Sequence, residues 1–331
     1  MPETNNRVAR TDAGGAPLVS VIVRSIGRDE LRQALESVAG QGYPNIEVIV
    51  VNARGADHLP LKDHCGRFPL RVVHAGGPLA RGRAGNLGLE ASAGGYLIFL
   101  DDDDWFLPDH VAGLVAALAG PETAQAAYAD IVCMRETPGH GWQQVHTYNE
   151  SFDRTTLFIQ NYLPIHAVLF ARTLIDDGCR FDETLDVYED WDFWLQAVAR
   201  TDFVHVPQVS AVYRIASTSG FGITGDETTV RQAAARIFDK WRYLWSREQL
   251  LEIMCYAKSH ADAAQLRGEL AQRESEFQRV EGDLTGARRA IAEIQGKLHS
   301  TREEIQMIKR SRSWRLTRPL RDTSILSKWG E

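Results

Sequence analysis

Apolar runs alternating with helical spacing organise the first 120 residues. Val19-Ser20-Val21-Ile22-Val23 reads as a strand; after the polar turn Ser25 to Asp29, Leu31, Ala34, Leu35 and Val38 recur at helical intervals until Gly40 and Gly42 stop them. A second strand, Ile46 to Val51, ends at Asn52, and a short third, Arg71-Val72-Val73-His74, runs into Gly76-Gly77-Pro78. A helix through Asn86 and Leu89 follows, then the apolar run Tyr96-Leu97-Ile98-Phe99-Leu100, which reads as a strand buried on both faces. Pro108 then opens a helix carrying Val111, Leu114, Val115 and Leu118, with Gly120-Pro121 as its stop. Strand and helix in alternation predict a parallel sheet with helices on both faces, the kind that binds ligands at the carboxyl ends of its strands.

The second half is less regular. Ala126 to Met134 and His166 to Phe170 read as strands, and Arg135 to Tyr148 as a polar loop or hairpin. From Ala263 the period changes to seven. Positions 263, 270, 277, 284, 291, 298 and 305, with 266, 273, 280, 287, 294, 301 and 308, are apolar except for Arg273 and Thr301. That register predicts a coiled coil about 70 Å long and hence self-association, in parallel or antiparallel order. A single amphipathic helix folded back on its own domain is the alternative. Gly268, Gly282, Gly286 and Gly296 each weaken the helix by up to about 1 kcal/mol.

Charge adds one asymmetry. The net charge of the 331 residues is −7, yet residues 309–331 carry seven Lys and Arg against two acids, leaving −12 on the remainder. An acidic body excludes nucleic acid as the main partner, and the basic, Trp- and Leu-containing tail suits an anionic membrane surface or an acidic protein face. Four scattered cysteines without CxxC spacing point to a reduced compartment, and no stretch approaches a membrane span, so the expected location is the cytoplasm or the inner face of its membrane.

Two acidic stretches carry the candidate chemistry. Asp101-Asp102-Asp103-Asp104 begins where a buried strand leaves the core. Two carboxylates about 4 Å apart repel by roughly 1 kcal/mol in water and roughly 4 kcal/mol when partly buried, so the group calls for a cation; all-oxygen donors favour Mg2+ or Mn2+ over zinc. In Tyr188-Glu189-Asp190-Trp191-Asp192-Phe193-Trp194, apolar neighbours desolvate the acids and raise an acid's pKa toward what a general base needs. The acids also suit a helix N-terminus there. The piece Gly76 to Asn86 fits neither a dinucleotide fingerprint nor a P-loop; its glycines serve turns, or its two arginines face a diphosphate.

From Leu18 to Ile215 the chain resembles the family 2 glycosyltransferases of the GT-A fold. The motifs are Val19-Ser20-Val21-Ile22-Val23, Leu35-Glu36-Ser37-Val38 ahead of Gln41-Gly42-Tyr43-Pro44-Asn45-Ile46-Glu47-Val48, an Asn86-x-Gly88 turn, Phe99-Leu100-Asp101-Asp102-Asp103-Asp104 and Glu189-Asp190-Trp191-Asp192. The resemblance implies a nucleotide-sugar donor and a divalent metal on Asp101 and Asp103, with Asp102 on the ribose and Asp190 as the base. Ser25, Arg28, Asn52, Arg83 and Asn86 are the further donor-side candidates; His166, Trp191 and Trp194 are the acceptor-side candidates. Two departures stand out. Asn52 replaces an Asp expected to contact the nucleobase, and Ala216 replaces the His of a Tyr-Arg-x-His ending.

The expectation is an α/β GT-A domain over residues 17–255, preceded by a loose tail (1–16) and followed by a coiled coil (256–310) and a basic amphipathic tail (311–331). Its expected activity is inverting, metal-dependent sugar transfer to a saccharide or lipid-linked acceptor in bacterial surface polysaccharide synthesis. A non-catalytic sugar-nucleotide scaffold and a metal-dependent nucleotidyltransferase are the rival readings.

Overall fold

The computed structural model describes residues 15–120, 123–137, 139–215 and 227–316. The expected loose tail (all of 1–16 except Gly15 and Ala16), Ala216, and positions 317–331 of the basic tail therefore lie outside the described residues. Two compact units are present, Met1–Ile253 and Met254–Glu331.

In the first unit the strands are β1 (Val19–Ser25), β2 (Ile46–Asn52), β3 (His64–Cys65), β4 (Phe68–His74), β5 (Tyr96–Asp101), β6 (Trp105–Phe106), β7 (Ala126–Thr137), β8 (Gly141–Tyr148), β9 (Val168–Ala171) and β10 (Phe203–Ile215). The helices are α1 (Leu31–Ala39), α2 (Arg81–Ala91), α3 (His110–Leu118), α4 (Arg154–Ile159), α5 (Arg172–Asp176), α6 (Glu189–Val198) and α7 (Glu227–Trp241), and α8 (Arg247–Arg310) continues into the second unit, followed by α9 (Arg312–Leu316). The strands form one sheet in the order β3-β4-β2-β1-β5-β9-β7-β10-β6, with β8 on β7. Strands β4, β2, β1 and β5 are parallel, as the alternation predicts. Beyond β5 the sheet is mixed: β9 runs antiparallel between β5 and β7, and β6 and β8 are antiparallel edges. The chain moves outward from β1 through α1 to β2 and returns through α2 to β5, so right-handed crossovers put these two helices on opposite faces.

All seven residues of β1 are buried, and each fully buried aliphatic side chain contributes about 1.5–3 kcal/mol. Glycine sets how closely α2 approaches. A Cβ at Gly88 would lie 2.2 Å from Ile22 Cγ2, and one at Gly85 would lie 2.7 Å from the Phe181 ring. The Asn86-x-Gly88 segment is therefore helix interior pressed on the sheet, not a turn, and these glycines serve packing. β10 was not legible as a strand, since its middle, Val206 to Ala211, is broken by two register shifts against β7 and by exposed Pro207 and Gln208. β8 pairs antiparallel with the end of β7, as a hairpin would, and His166 sits in a single 3-10 turn ahead of β9. Among the described residues no helix is long and apolar enough to cross a membrane.

Candidate active site

Strand register builds the site. In the parallel pair β1–β5, Arg24 stands beside Asp101, and in β1–β2 Ser25 stands beside Asn52. The Arg24 guanidinium donates to both Asp101 oxygens, Nε to Oδ1 at 2.7 Å and Nη2 to Oδ2 at 2.9 Å, while Nη1 donates to Glu189 Oε1 at 2.9 Å. One buried cation thus joins the end of β5 to the start of α6. Burial opposes its charge, but the two carboxylates outweigh it and raise the Arg24 pKa. Burial likewise pushes Asp101 up, and Arg24 overcomes that and holds it below the usual carboxylate range.

The remaining acids of the tetrad have separate work. Asp102 is fully buried and accepts from Ser25 Oγ (2.9 Å), from the backbone N–H groups of Ile26 (2.9 Å), Gly27 (3.1 Å) and Arg28 (3.3 Å), and from the Arg28 guanidinium. It ties down the loop between β1 and α1. Asp104, also buried, accepts the Arg214 N–H at 2.8 Å, and His166 Nδ1 lies 3.2 Å from its Oδ2, off the line of a hydrogen bond. Asp103 is the partly exposed member; burial, then Asp104 and Asp101, push its carboxyl up to about 7, with Arg28 opposing from 3.6 Å.

Asp101, Asp103 and Asp104 each present an oxygen within 4.8 Å of the others. Three hard donors at that spacing, one of them pushed toward protonation by its neighbours, fit a divalent cation. The local sequence pattern points to Asp101 and Asp103; the turn after β5 adds Asp104.

Across the opening, Tyr188 in the left-handed conformation (φ 66°) turns the chain into α6, whose first turn holds Glu189, Asp190 and Asp192. A positive φ in a bulky residue is a costly conformation that its surroundings must enforce, here with Tyr188 edge-on to Trp191 at 5.2 Å. Burial, then Glu189, push the Asp190 carboxyl up to about 7 against the pull of Arg24. Asp190, Asp103 and Asp104 line one cleft of about 880 Å³, with Ser25, Arg28 and His166 on its walls.

Residues 20–179 match the family model Glycosyl transferase family 2. The chain carries a family 2 glycosyltransferase domain. It is 27% identical over 224 residues to the uncharacterized glycosyltransferase YwdF of Bacillus subtilis, covering 66% of this chain and 80% of that one. To an uncharacterized glycosyltransferase of Haemophilus influenzae it is 24% identical over 216 residues, covering 60% and 66%. The crystal structure of S. aureus TarS 1-349 in complex with UDP-GlcNAc aligns with a TM-score of 0.50 at 15% identity over 70% of this chain and 74% of its own, a likeness of fold.

Several expected ligand contacts of this glycosyltransferase are spent inside the protein. The Asn52 amide caps its own turn, accepting from Arg54 and Gly55 N–H and donating to Gly55 O at 2.6 Å. Asn86 pairs with the backbone of Phe181 in both directions, and Arg83 reaches Glu183 at 3.3 Å. Trp194 is 0% exposed and donates to Leu163 O; Trp191, 6% exposed, donates to Leu157 O. Neither indole offers a face to an acceptor, and Asp102, with its carboxylate consumed by the loop, does not reach the cleft wall as a ribose contact. The wall instead includes Arg81, Trp142, Tyr148, Tyr213 and Arg214. Arg81 was within reach of the sequence, as one of two arginines opening the glycine-rich helix. The other four come from β8 and β10, whose adjacency to the Asp turn only the sheet order reveals.

Proposed function

We propose that the chain transfers a sugar from a nucleotide-sugar donor to an acceptor hydroxyl with inversion at the anomeric carbon. The observation that carries this reading is the placement of Asp190, with its raised pKa, on the same cleft as the Asp101–Asp103–Asp104 carboxylates. When bound, Mg2+ or Mn2+ on those three acids would neutralise the diphosphate leaving group. Arg28 and Arg81 line the same cleft and supply further positive charge for phosphate oxygens. Asp190 accepts the acceptor hydroxyl's proton as the new oxygen–carbon bond forms and the bond to the diphosphate breaks. Asp190 is the one carboxylate this reading assigns as base and Arg24 holds the adjacent Glu189, so a single displacement is the reaction we assign. A saccharide or lipid-linked acceptor of a bacterial surface polysaccharide is the acceptor class we assign, with His166 on the wall it would approach. The basic tail would supply contact with anionic membrane; loss of co-sedimentation with anionic vesicles on deleting 309–331 tests that.

The test of the reaction is nucleoside diphosphate release over UDP-, GDP- and dTDP-sugars, with and without chelator. Turnover with at least one donor, abolished by chelator, is expected. A metal-independent turnover, or pyrophosphate in place of a nucleoside diphosphate, would overturn it.

A further inference from the structure

Helix α8 carries a second, separate design. It stays continuous over residues 247–310, yet the large apolar side chains at positions 266, 270, 277, 280, 284, 291, 294, 298, 305 and 308 are between 46% and 67% exposed. In the heptad register, Gly268, Gly282 and Gly296 fall at the outermost position and Gly286 one place from the seam's flank, so no glycine interrupts the stripe. A stripe about 60 Å long, at about 1.5 Å per residue over 266–305, is more apolar surface than a solvated helix face retains without a partner.

The occupant can be read from how the two rows of the stripe differ. One row, Leu270, Phe277, Leu284, Ile291, Leu298 and Ile305, is uniformly large. Over residues 266–308 the other holds the small and polar residues: Arg273, Ala287 and Thr301. A parallel, in-register pair stacks each residue on its own copy, which sets Arg273 on Arg273 and Ala287 on Ala287 and faces Glu269 with Glu274 and Glu276 with Glu281 across the flanks. Reversing one helix about a centre between residues 285 and 286 places the rows against each other. Thr301 then meets Leu270, Arg273 meets Leu298 and Ala287 meets Leu284, so no layer is doubly small or doubly charged. The flanks change as well, with Glu276 opposite Lys297 and Glu281 opposite Arg288, while Glu269 comes to face Glu304. About that same centre the helix divides into a half of charge −3 (261–285, three Lys and Arg against six acids) and a half of charge +3 (286–310, six against three).

We infer that α8 pairs with a second copy of itself in an antiparallel coiled coil centred between residues 285 and 286. The pairing depends on α8 alone and is independent of the reaction assigned above.

Disulfide trapping in the full chain decides it, using a Cys255→Ser background because Cys255 is the exposed cysteine among Cys65, Cys133, Cys179 and Cys255. Light scattering of the unmodified chain is expected to give twice the chain mass. On mild oxidation the double variant Leu270→Cys/Thr301→Cys is expected to convert most of the protein to a covalent dimer, while each single variant stays below about a tenth. Efficient trapping by the single variants means parallel order, and a monomeric mass means no pairing. A dimeric mass with no trapping in the double variant means another register or another interface. Each of those three results overturns the proposal. Circular dichroism of every variant, at wild-type helix content, guards against a trapping failure caused by unfolding.

Discussion

The two acidic centres share one cation and part ways over what remains. Arg24 takes Asp101 from the end of β5 and Glu189 from the start of α6, leaving in each centre a neighbour, Asp103 and Asp190, whose carboxyl is pushed up to about 7. Around Asp103 the cause, after burial, is two more carboxylates whose oxygens lie within 4.8 Å, so a shared divalent ion relieves the repulsion. Around Asp190 it is burial and a single acid already paired with Arg24. There a proton is the cation that fits. On the reaction proposed above, the same raised pKa marks a metal site in one place and a base in the other, and the larger number of neighbouring carboxylates around Asp103 tells them apart.

Substitution at each centre should separate the two roles. Asp190→Asn is expected to lower kcat by at least about 100-fold with donor affinity kept, as for loss of a general base. Calorimetry showing donor affinity lost in parallel would make Asp190 a donor ligand instead. Asp103→Ala is expected to abolish the metal-dependent part of turnover and to weaken cation binding by at least about tenfold in a titration with Mn2+ and nucleoside diphosphate. Full activity of the wild type in excess chelator would leave the carboxylate group without that role.

The pH profile sharpens the contrast next. A base must be ionised, so at saturating metal kcat/KM should fall about tenfold per unit below the Asp190 pKa of about 7 and stay flat above it. Stability runs the opposite way. A carboxyl whose folded pKa lies above its unfolded value of 3.8 binds more protons when folded, so between about pH 4 and 7 the metal-free protein loses stability as pH rises. Asp190→Asn should accordingly raise the melting temperature of the metal-free protein at pH 8 by a few degrees, at about 2–4 °C per kcal/mol for a domain of this size. A lower melting temperature would show that the Asp190 carboxylate is stabilising where it stands.

How much of this was legible in the sequence follows from the range of the interactions. Asp101 to Asp104, Asp190 and the first four parallel strands announce themselves through local pattern, because a buried strand followed by acids is a statement made within ten residues. Tyr148, Tyr213 and Arg214 reach the site only through the sheet order β5-β9-β7-β10, with β8 on β7, which no local pattern encodes. Arg214 illustrates it: its guanidinium stacks over Trp105 and Trp142 at 5.3 and 4.7 Å and donates to Asp103 O at 3.0 Å, joining three segments distant in the chain. The opposite error affected Trp194, Asn86 and Asn52, side chains with the chemistry of ligand contacts that the fold uses on its own backbone.

Asn52 gives the smallest expected effect and the closest test of that distinction. Its Nδ2 donates to Gly55 O at 2.6 Å and lies 3.1 Å from His74 Nδ1, while Oδ1 accepts two backbone N–H groups. Restoring the family's acid by Asn52→Asp keeps the two acceptor bonds but replaces a donor with an oxygen facing the Gly55 carbonyl. An unmatched buried acceptor costs about 1–3 kcal/mol, so the variant should be destabilised by that order in denaturant unfolding. Because the Asn52 side chain is 3% exposed and absent from the cleft wall, the ranking of UDP-, GDP- and dTDP-sugars should stay within about twofold of wild type. A reordered donor ranking with stability unchanged would mean that the turn opens to the nucleobase after all, and that residue 52 reads the donor as an acid does elsewhere in the family.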